Sequence, residues 1–109
     1  MDCLFCQIAA GTIPADKEFE DDDVVVFKDI HPKAPVHLLI VPKKHLASLS
    51  DSQASDQLLL GQLLLTVKDM AAKKGLSGYK TIINTGKEGG QIINHLHLHL
   101  LGGKTQEEI

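Results

Sequence analysis

No basic tract longer than Lys43-Lys44 or Lys73-Lys74 occurs in this chain, and its formal net charge is −3 with the histidines neutral. A nucleic-acid polymer is held by clustered Lys and Arg, and an anionic membrane surface attracts the same kind of patch. Neither partner fits. Also missing is any apolar run long enough to span a bilayer. The opening Met1-Asp2-Cys3 lacks the basic, apolar and small-residue regions of a signal peptide. There are only two cysteines, and no repeat, low-complexity tract or linker is visible. These absences predict a cytoplasmic protein whose thiols stay reduced. What remains reads as one domain over residues 1–109, with 43 % hydrophobic residues and a mean hydropathy near zero.

Periodicity predicts an α+β fold with an antiparallel sheet. Residues 3–10 form a short helix with Leu4 and Ile8 on its apolar side, ended by Gly11. Strands follow at 18–20, 24–28 and 37–41, the middle one β-branched and aromatic and the last stopped by Pro42. Ser50-Asp51-Ser52 offers N-caps for one long helix at 53–74, with Leu60, Leu63, Leu64, Val67 and Ala71 as its buried stripe. Leu58 and Leu65 make a second apolar line beside Gly61, which implies either a homodimer or an extra-wide core. Residues 79–84 and 94–101 then form a hairpin.

The segment His95-Leu96-His97-Leu98-His99-Leu100-Leu101 carries most of the chemical information. Alternate residues of a strand share a face, so the three imidazoles form a row spaced by roughly 6.6 Å while the leucines face a core. Two uses compete. His-x-His can chelate a catalytic zinc with a third ligand from elsewhere. Alternatively the middle imidazole attacks an electrophile while its neighbours orient it and bind charge.

Three further signals bear on that choice. Cys3-x-x-Cys6 has no strand before it, which sets aside a thioredoxin-like redox pair. Its spacing suits half of a structural zinc site, or simply two half-buried reduced thiols. The stretch Asn84-Thr85-Gly86-Lys87-Glu88-Gly89-Gly90-Gln91 is either a plain hairpin loop or, beside a histidine row, a loop whose N–H groups converge on phosphate. His37 is a satisfied core histidine or a proton relay. His45 looks like a surface residue unless it reaches the cysteines.

The histidine segment resembles the His-x-His-x-His-x-x signature of the histidine triad proteins. Gly89-Gly90-Gln91 before it, Gly102-Gly103 after it, and the stretch from Asp29 through His37 to His45 match as well. Together they are similar to the Hint branch, the purine nucleoside phosphoramidases, over nearly the whole chain. The resemblance implies a five-stranded antiparallel sheet with one long and one short helix, continued across a homodimer. It also implies a purine nucleotide substrate, such as adenosine 5′-phosphoramidate or an aminoacyl adenylate, cleaved at the α-phosphorus.

Residue by residue, His97 would be the nucleophile and His99 a donor to a phosphate oxygen, with His95 and His37 orienting and relaying protons. Asn84, Gly90, Gln91 and the backbone of Ile92 would hold the phosphate, and Asp29 the ribose. Phe5, Ile8, Phe27, Ile30 and Leu39 would line the base pocket. Relatives with an N-terminal Cys-x-x-Cys imply a structural zinc on Cys3, Cys6, His45 and His95, which competes with a relay role for His95. No catalytic metal is required.

Ile92 stands where many Hint proteins carry a polar side chain, Asn94 replaces a common apolar or aromatic residue, and the chain ends early at Gln106-Glu107-Glu108-Ile109. A nucleotide sensor or adaptor with weak chemistry, a dinucleoside polyphosphate hydrolase and a zinc hydrolase are the competing functions.

Overall fold

Eleven β-branched or leucine side chains along three central strands decide how this chain layers. The computed structural model describes residues 3–103. Helix α1 (Leu4–Ala9) precedes β1 (Lys17–Glu20), β2 (Val24–Lys28) and β3 (Val36–Pro42). Helix α2 (Gln57–Lys73), β4 (Tyr79–Ile82) and β5 (Leu98–Gly102) follow. The five strands form one sheet in the order β1-β2-β3-β5-β4, antiparallel throughout. This is the α+β architecture the periodicity implies. The early chain end at Gln106–Ile109 lies outside the described residues.

Strand alternation sends the two residue sets to opposite layers. Val24, Val26, Leu38, Ile40, Leu96, Leu98 and Leu100 pack beneath Leu63, Val67, Met70 and Ala71 of α2. On the other face Val25, Phe27, Leu39 and Val41 pack against Phe5 and Ile8 of α1. A six-residue helix does not persist in water on its own, so those two side chains are what dock it. Gly102 ends β5 in a close fit, since a Cβ there would run into the Leu76 side chain.

The long helix starts later than expected. Two 3₁₀ turns, Leu49–Asp51 and Ala54–Asp56, come first, and the Ser48 hydroxyl accepts from Ser50 N–H at 3.2 Å to cap the first of them. Ser50-Asp51-Ser52 therefore lies within and after a short turn, not at the start of α2. Met70 is buried, whereas Leu64 is 54 % exposed and leaves the expected stripe. Leu58 and Leu65 are 78 % and 58 % exposed, and a Cβ on Gly61 would touch nothing. A wider internal core is thus excluded for that second line.

The histidine strand is also shorter than its alternation implies, beginning at Leu98 and not at residue 94. The reason is Pro42. Asp29 N–H donates to His37 O at 3.1 Å and Lys43 N–H to Asp23 O at 2.8 Å, so odd residues of β3 turn their backbone groups toward β2. Even residues consequently face β5. Beyond the Ile40–Leu98 pair the next such rung would be Pro42 with Leu96, and proline has no N–H to give. Leu96 N–H donates to Leu46 O instead, at 2.7 Å, and His95 N–H turns back to Ile93 O at 2.9 Å.

Candidate active site

A cavity of about 1150 Å³ opens on the α1 side of the sheet. Phe5, Ile8, Phe27 and Leu39, which pack together, give it an apolar wall. Ile30 and Ile92 also border it but are 86 % and 88 % exposed, so they stand at its rim. Asp29, His37, His97 and His99 line it as well, and Asn84 and Gly90 contribute from the glycine-rich loop. Of the expected residues, His95 and Gln91 do not border this space.

Hydrogen bonds fix the tautomer of each cavity imidazole. The His97 ring Nδ1 lies 2.8 Å from the His95 carbonyl oxygen. A carbonyl only accepts, so Nδ1 carries the proton and Nε2 keeps a bare lone pair. Lys33 N–H donates to His37 Nδ1 at 3.0 Å, so in the neutral ring the proton sits on Nε2. That Nε2–H has His99 Nδ1 at 2.9 Å and the Asp29 carboxylate at 3.4 Å; the nearer nitrogen is the main acceptor. His99 then carries its own proton on Nε2. The result is one imidazole with a free lone pair next to one with a free N–H, their ring centres 5.0 Å apart.

Burial keeps these rings neutral. It lowers the affinity of His37, His97 and His99 for a second proton, and for His99 the neighbouring His97 and His37 add to the effect, bringing its pKa down to about 4. Asp29 opposes the shift at all three without reversing it. The same tautomers disfavour zinc on Asp29, His37 and His99, although their donor atoms gather within 4.8 Å. Ligation through His37 Nε2 would force its proton onto Nδ1 and break the bond from Lys33 N–H.

His95 points along the same side of the sheet, past the cavity and toward α1. Its ring is fully buried, and Nε2–H donates to the Pro42 carbonyl at 2.8 Å. Nδ1 therefore presents a lone pair to Cys3 Sγ at 3.2 Å, Cys6 Sγ at 3.4 Å and His45 Nδ1 at 3.1 Å. All three histidines lie on the α1 side, as the alternation implies, since Phe5 meets both the His95 and the His97 ring. The relay role expected of His95 is corrected: both its ring nitrogens are engaged away from the cavity, and only its carbonyl serves His97. A relay through its ring is not what this geometry offers.

Four donors facing one point suit a cation. Zinc bond lengths of about 2.0–2.3 Å in a tetrahedron put ligand atoms roughly 3.3–3.8 Å apart, close to the contacts seen. Burial and then the adjacent Cys3 sulfur push the Cys6 thiol up to about 11, a penalty that a divalent cation reverses by binding thiolate. The His95 ring has the backbone-carbonyl partner typical of a metal ligand. Cys3, Cys6, His45 and His95 fit zinc.

Gln91 is a brace. Its side-chain oxygen accepts from Gly86 N–H at 2.8 Å, and its amide donates to Ala47 O at 2.6 Å and Ile93 O at 2.9 Å. Direct phosphate contact by that side chain is corrected to support of the loop from behind. Asn84 donates to Gly89 O at 2.8 Å, and Gly86 and Gly90 take the left-handed φ values of 73° and 84° that glycine alone adopts easily.

Several functional groups escaped the sequence reading. The Lys33 N–H and the Pro42 carbonyl set imidazole tautomers through the main chain, which side-chain identity does not reveal. Lys80 and Ile82 border the cavity from β4, opposite Leu101 and His99. Period two from His99 across the hairpin could have found them.

Comparisons agree with this arrangement. A family model described as scavenger mRNA decapping enzyme C-terminal binding matches residues 2–109. An uncharacterised HIT-like protein of Synechococcus elongatus is 52 % identical over 105 residues, 95 % of this chain and 92 % of that one. The crystal structure of a HIT family hydrolase from Legionella pneumophila is 49 % identical, covers 95 % of both chains and superposes with a TM-score of 0.94. A zinc-bound histidine triad family protein from Mycobacterium smegmatis is 28 % identical, over 99 % of this chain and 79 % of that one, with a TM-score of 0.83. With the paired imidazoles, the sheet and nearly the full length in agreement, the chain belongs to the histidine triad family.

Proposed function

We propose that this protein is a nucleoside phosphoramidase or a closely related nucleotidyl hydrolase acting on a purine nucleotide. The observation that carries the reading is the His95 carbonyl bonded to His97 Nδ1, which leaves Nε2 as a neutral nucleophile beside the His99 N–H. In the first step His97 Nε2 attacks the α-phosphorus, the P–Nε2 bond forms as the P–N bond breaks, and the amine leaves with a proton from cavity water. Water then attacks the same phosphorus, breaks the P–Nε2 bond and gives up a proton. One difficult displacement becomes two easier ones. His99 Nε2–H and the loop amides hold the non-bridging oxygens as charge develops on them. The base lies against Phe5, Ile8, Phe27 and Leu39, and Asp29 accepts from the ribose hydroxyls.

Zinc on Cys3, Cys6, His45 and His95 would tie α1 to the segment before β5, and the likeness to a zinc-bound relative supports it. The exposed Leu58, Leu64 and Leu65 of α2 support a homodimer. Ile92, exposed at the rim, favours a second reading, a nucleotide sensor that turns over slowly. The test is mass spectrometry of a rapidly quenched reaction with adenosine 5′-phosphoramidate. A nucleotidyl adduct on His97 is expected; turnover with no adduct on any histidine would refute the mechanism.

A further inference from the structure

The cation-ready cluster and the nucleophile are joined by two short physical links. His95 supplies a ring nitrogen to the cluster and, through its own carbonyl, the acceptor that fixes His97 Nδ1–H at 2.8 Å. Phe5 sits between Cys3 and Cys6 on the chain and lies edge-on to the His97 ring at 5.1 Å and 90°. It also meets the His95 ring at 6.0 Å and Phe27 at 5.4 Å. Main chain and helix thus reach the same imidazole from two sides.

The cluster ties the two links to each other. The segment from residue 93 to residue 97 lies outside the sheet ladder, and its backbone bonds are His95 N–H to Ile93 O and Leu96 N–H to Leu46 O. Helix α1 has six residues, and Cys3 caps it by accepting from Cys6 N–H at 3.3 Å. Each is a weakly self-supporting piece of chain, and Cys3, Cys6, His45 and His95 bring both to one point.

We infer that Cys3, Cys6, His45 and His95, when they hold a divalent cation, act as positioning residues for the phosphorus-attack step. They keep the His95 carbonyl and the Phe5 ring where they lock the rotamer and tautomer of His97. The inference rests on the reading of His97 as nucleophile. It separates two kinds of energy: nucleotide binding depends on the wall and loop of the cavity, whereas attack depends on a ring whose orientation is set from outside it. Loosening the cluster therefore lowers kcat by more than it raises KM, because Phe5 is only one part of the base wall whereas both links act on His97.

His45 is the ligand to change, because it is exposed and belongs neither to α1 nor to the segment before β5. The experiment compares zinc-loaded protein, chelator-stripped protein and His45→Ala at low and saturating zinc. Turnover is read with adenosine 5′-phosphoramidate, affinity with AMP, and the His97 Nδ1–H by its low-field NMR resonance. Stripping is expected to lower kcat about tenfold or more, to weaken AMP binding by much less than that, and to lose the ring-proton signal. Zinc restores both, and His45→Ala needs more zinc to reach the same kcat.

An unchanged kcat and ring proton after stripping overturns the inference. So does a parallel fall of kcat and AMP affinity with unfolding in stripped protein and in His45→Ala, which would mark the cluster as structural alone. His97→Ala distinguishes the two levels. If it is inactive while stripping changes nothing, only the coupling is lost; if it retains turnover, the nucleophile reading falls as well.

Discussion

Two groups of imidazoles lie a few ångströms apart and solve opposite problems. Around His95, sulfur and nitrogen atoms converge on one point, where only thiol protons or a cation can bridge them. Around His99, protons are handed along in one direction, from Lys33 N–H to His37 and from His37 to His99, and no two lone pairs meet. Backbone groups make the difference. A carbonyl opposite one nitrogen strips the other of its proton, and an N–H opposite it does the reverse. Residue type alone therefore says nothing of whether a histidine ligates or donates.

The sharpest way to break the distinction is to remove the one free lone pair on the cavity side. His97→Ala should lower kcat by on the order of 10⁴ while AMP affinity changes little, measured by steady-state kinetics and calorimetry. His37→Leu attacks the proton line instead. Its expected loss is about 10²-fold in kcat, because His99 keeps its place but loses the donor that sets its tautomer. Retention of full activity would show that the line is ornamental.

Acid sharpens the comparison less severely. His37 and His99 bind a second proton less readily in the folded chain than in the unfolded one, His99 only at about 4. The unfolded chain thus takes up protons first as pH falls below about 6.5. Their contribution to stability is complete above that pH and is lost as pH drops toward about 4. Thermal melts in this window should show Tm falling with acid, and a bound nucleotide monophosphate should offset part of the fall. A flat Tm would contradict the buried neutral state. The smallest effect concerns α2. Leu65→Asp should alter the stability of the single chain by no more than about 0.5 kcal/mol, yet yield monomer in sedimentation if a second copy covers that face.

Much of the fold was legible because its signals are local. Alternation at Val24–Phe27 and at Leu96, Leu98 and Leu100 assigns faces without any knowledge of neighbours, and Gly11 ends the first helix where expected. The cavity residues followed from the resemblance, and most of them do line one space. The boundary at Leu98 was not legible, since it depends on a proline more than fifty positions earlier. Nor was the division of the histidine row, which turns on where the Pro42 and His95 carbonyls point. Gln91 misled for a related reason: an amide beside glycines reads equally well as a ligand donor or as a strut, and only its three internal partners decide.

Pro42 has a consequence that reaches beyond the end of β3. An ordinary amino acid there would let the ladder grow by one rung and draw residue 96 into register with the strand opposite. His95 would then be held by strand pairing, and its ring would compete between that register and the point where Cys3, Cys6 and His45 meet. The missing amide hydrogen of a single ring thus keeps anchor and reagent apart within five residues of chain.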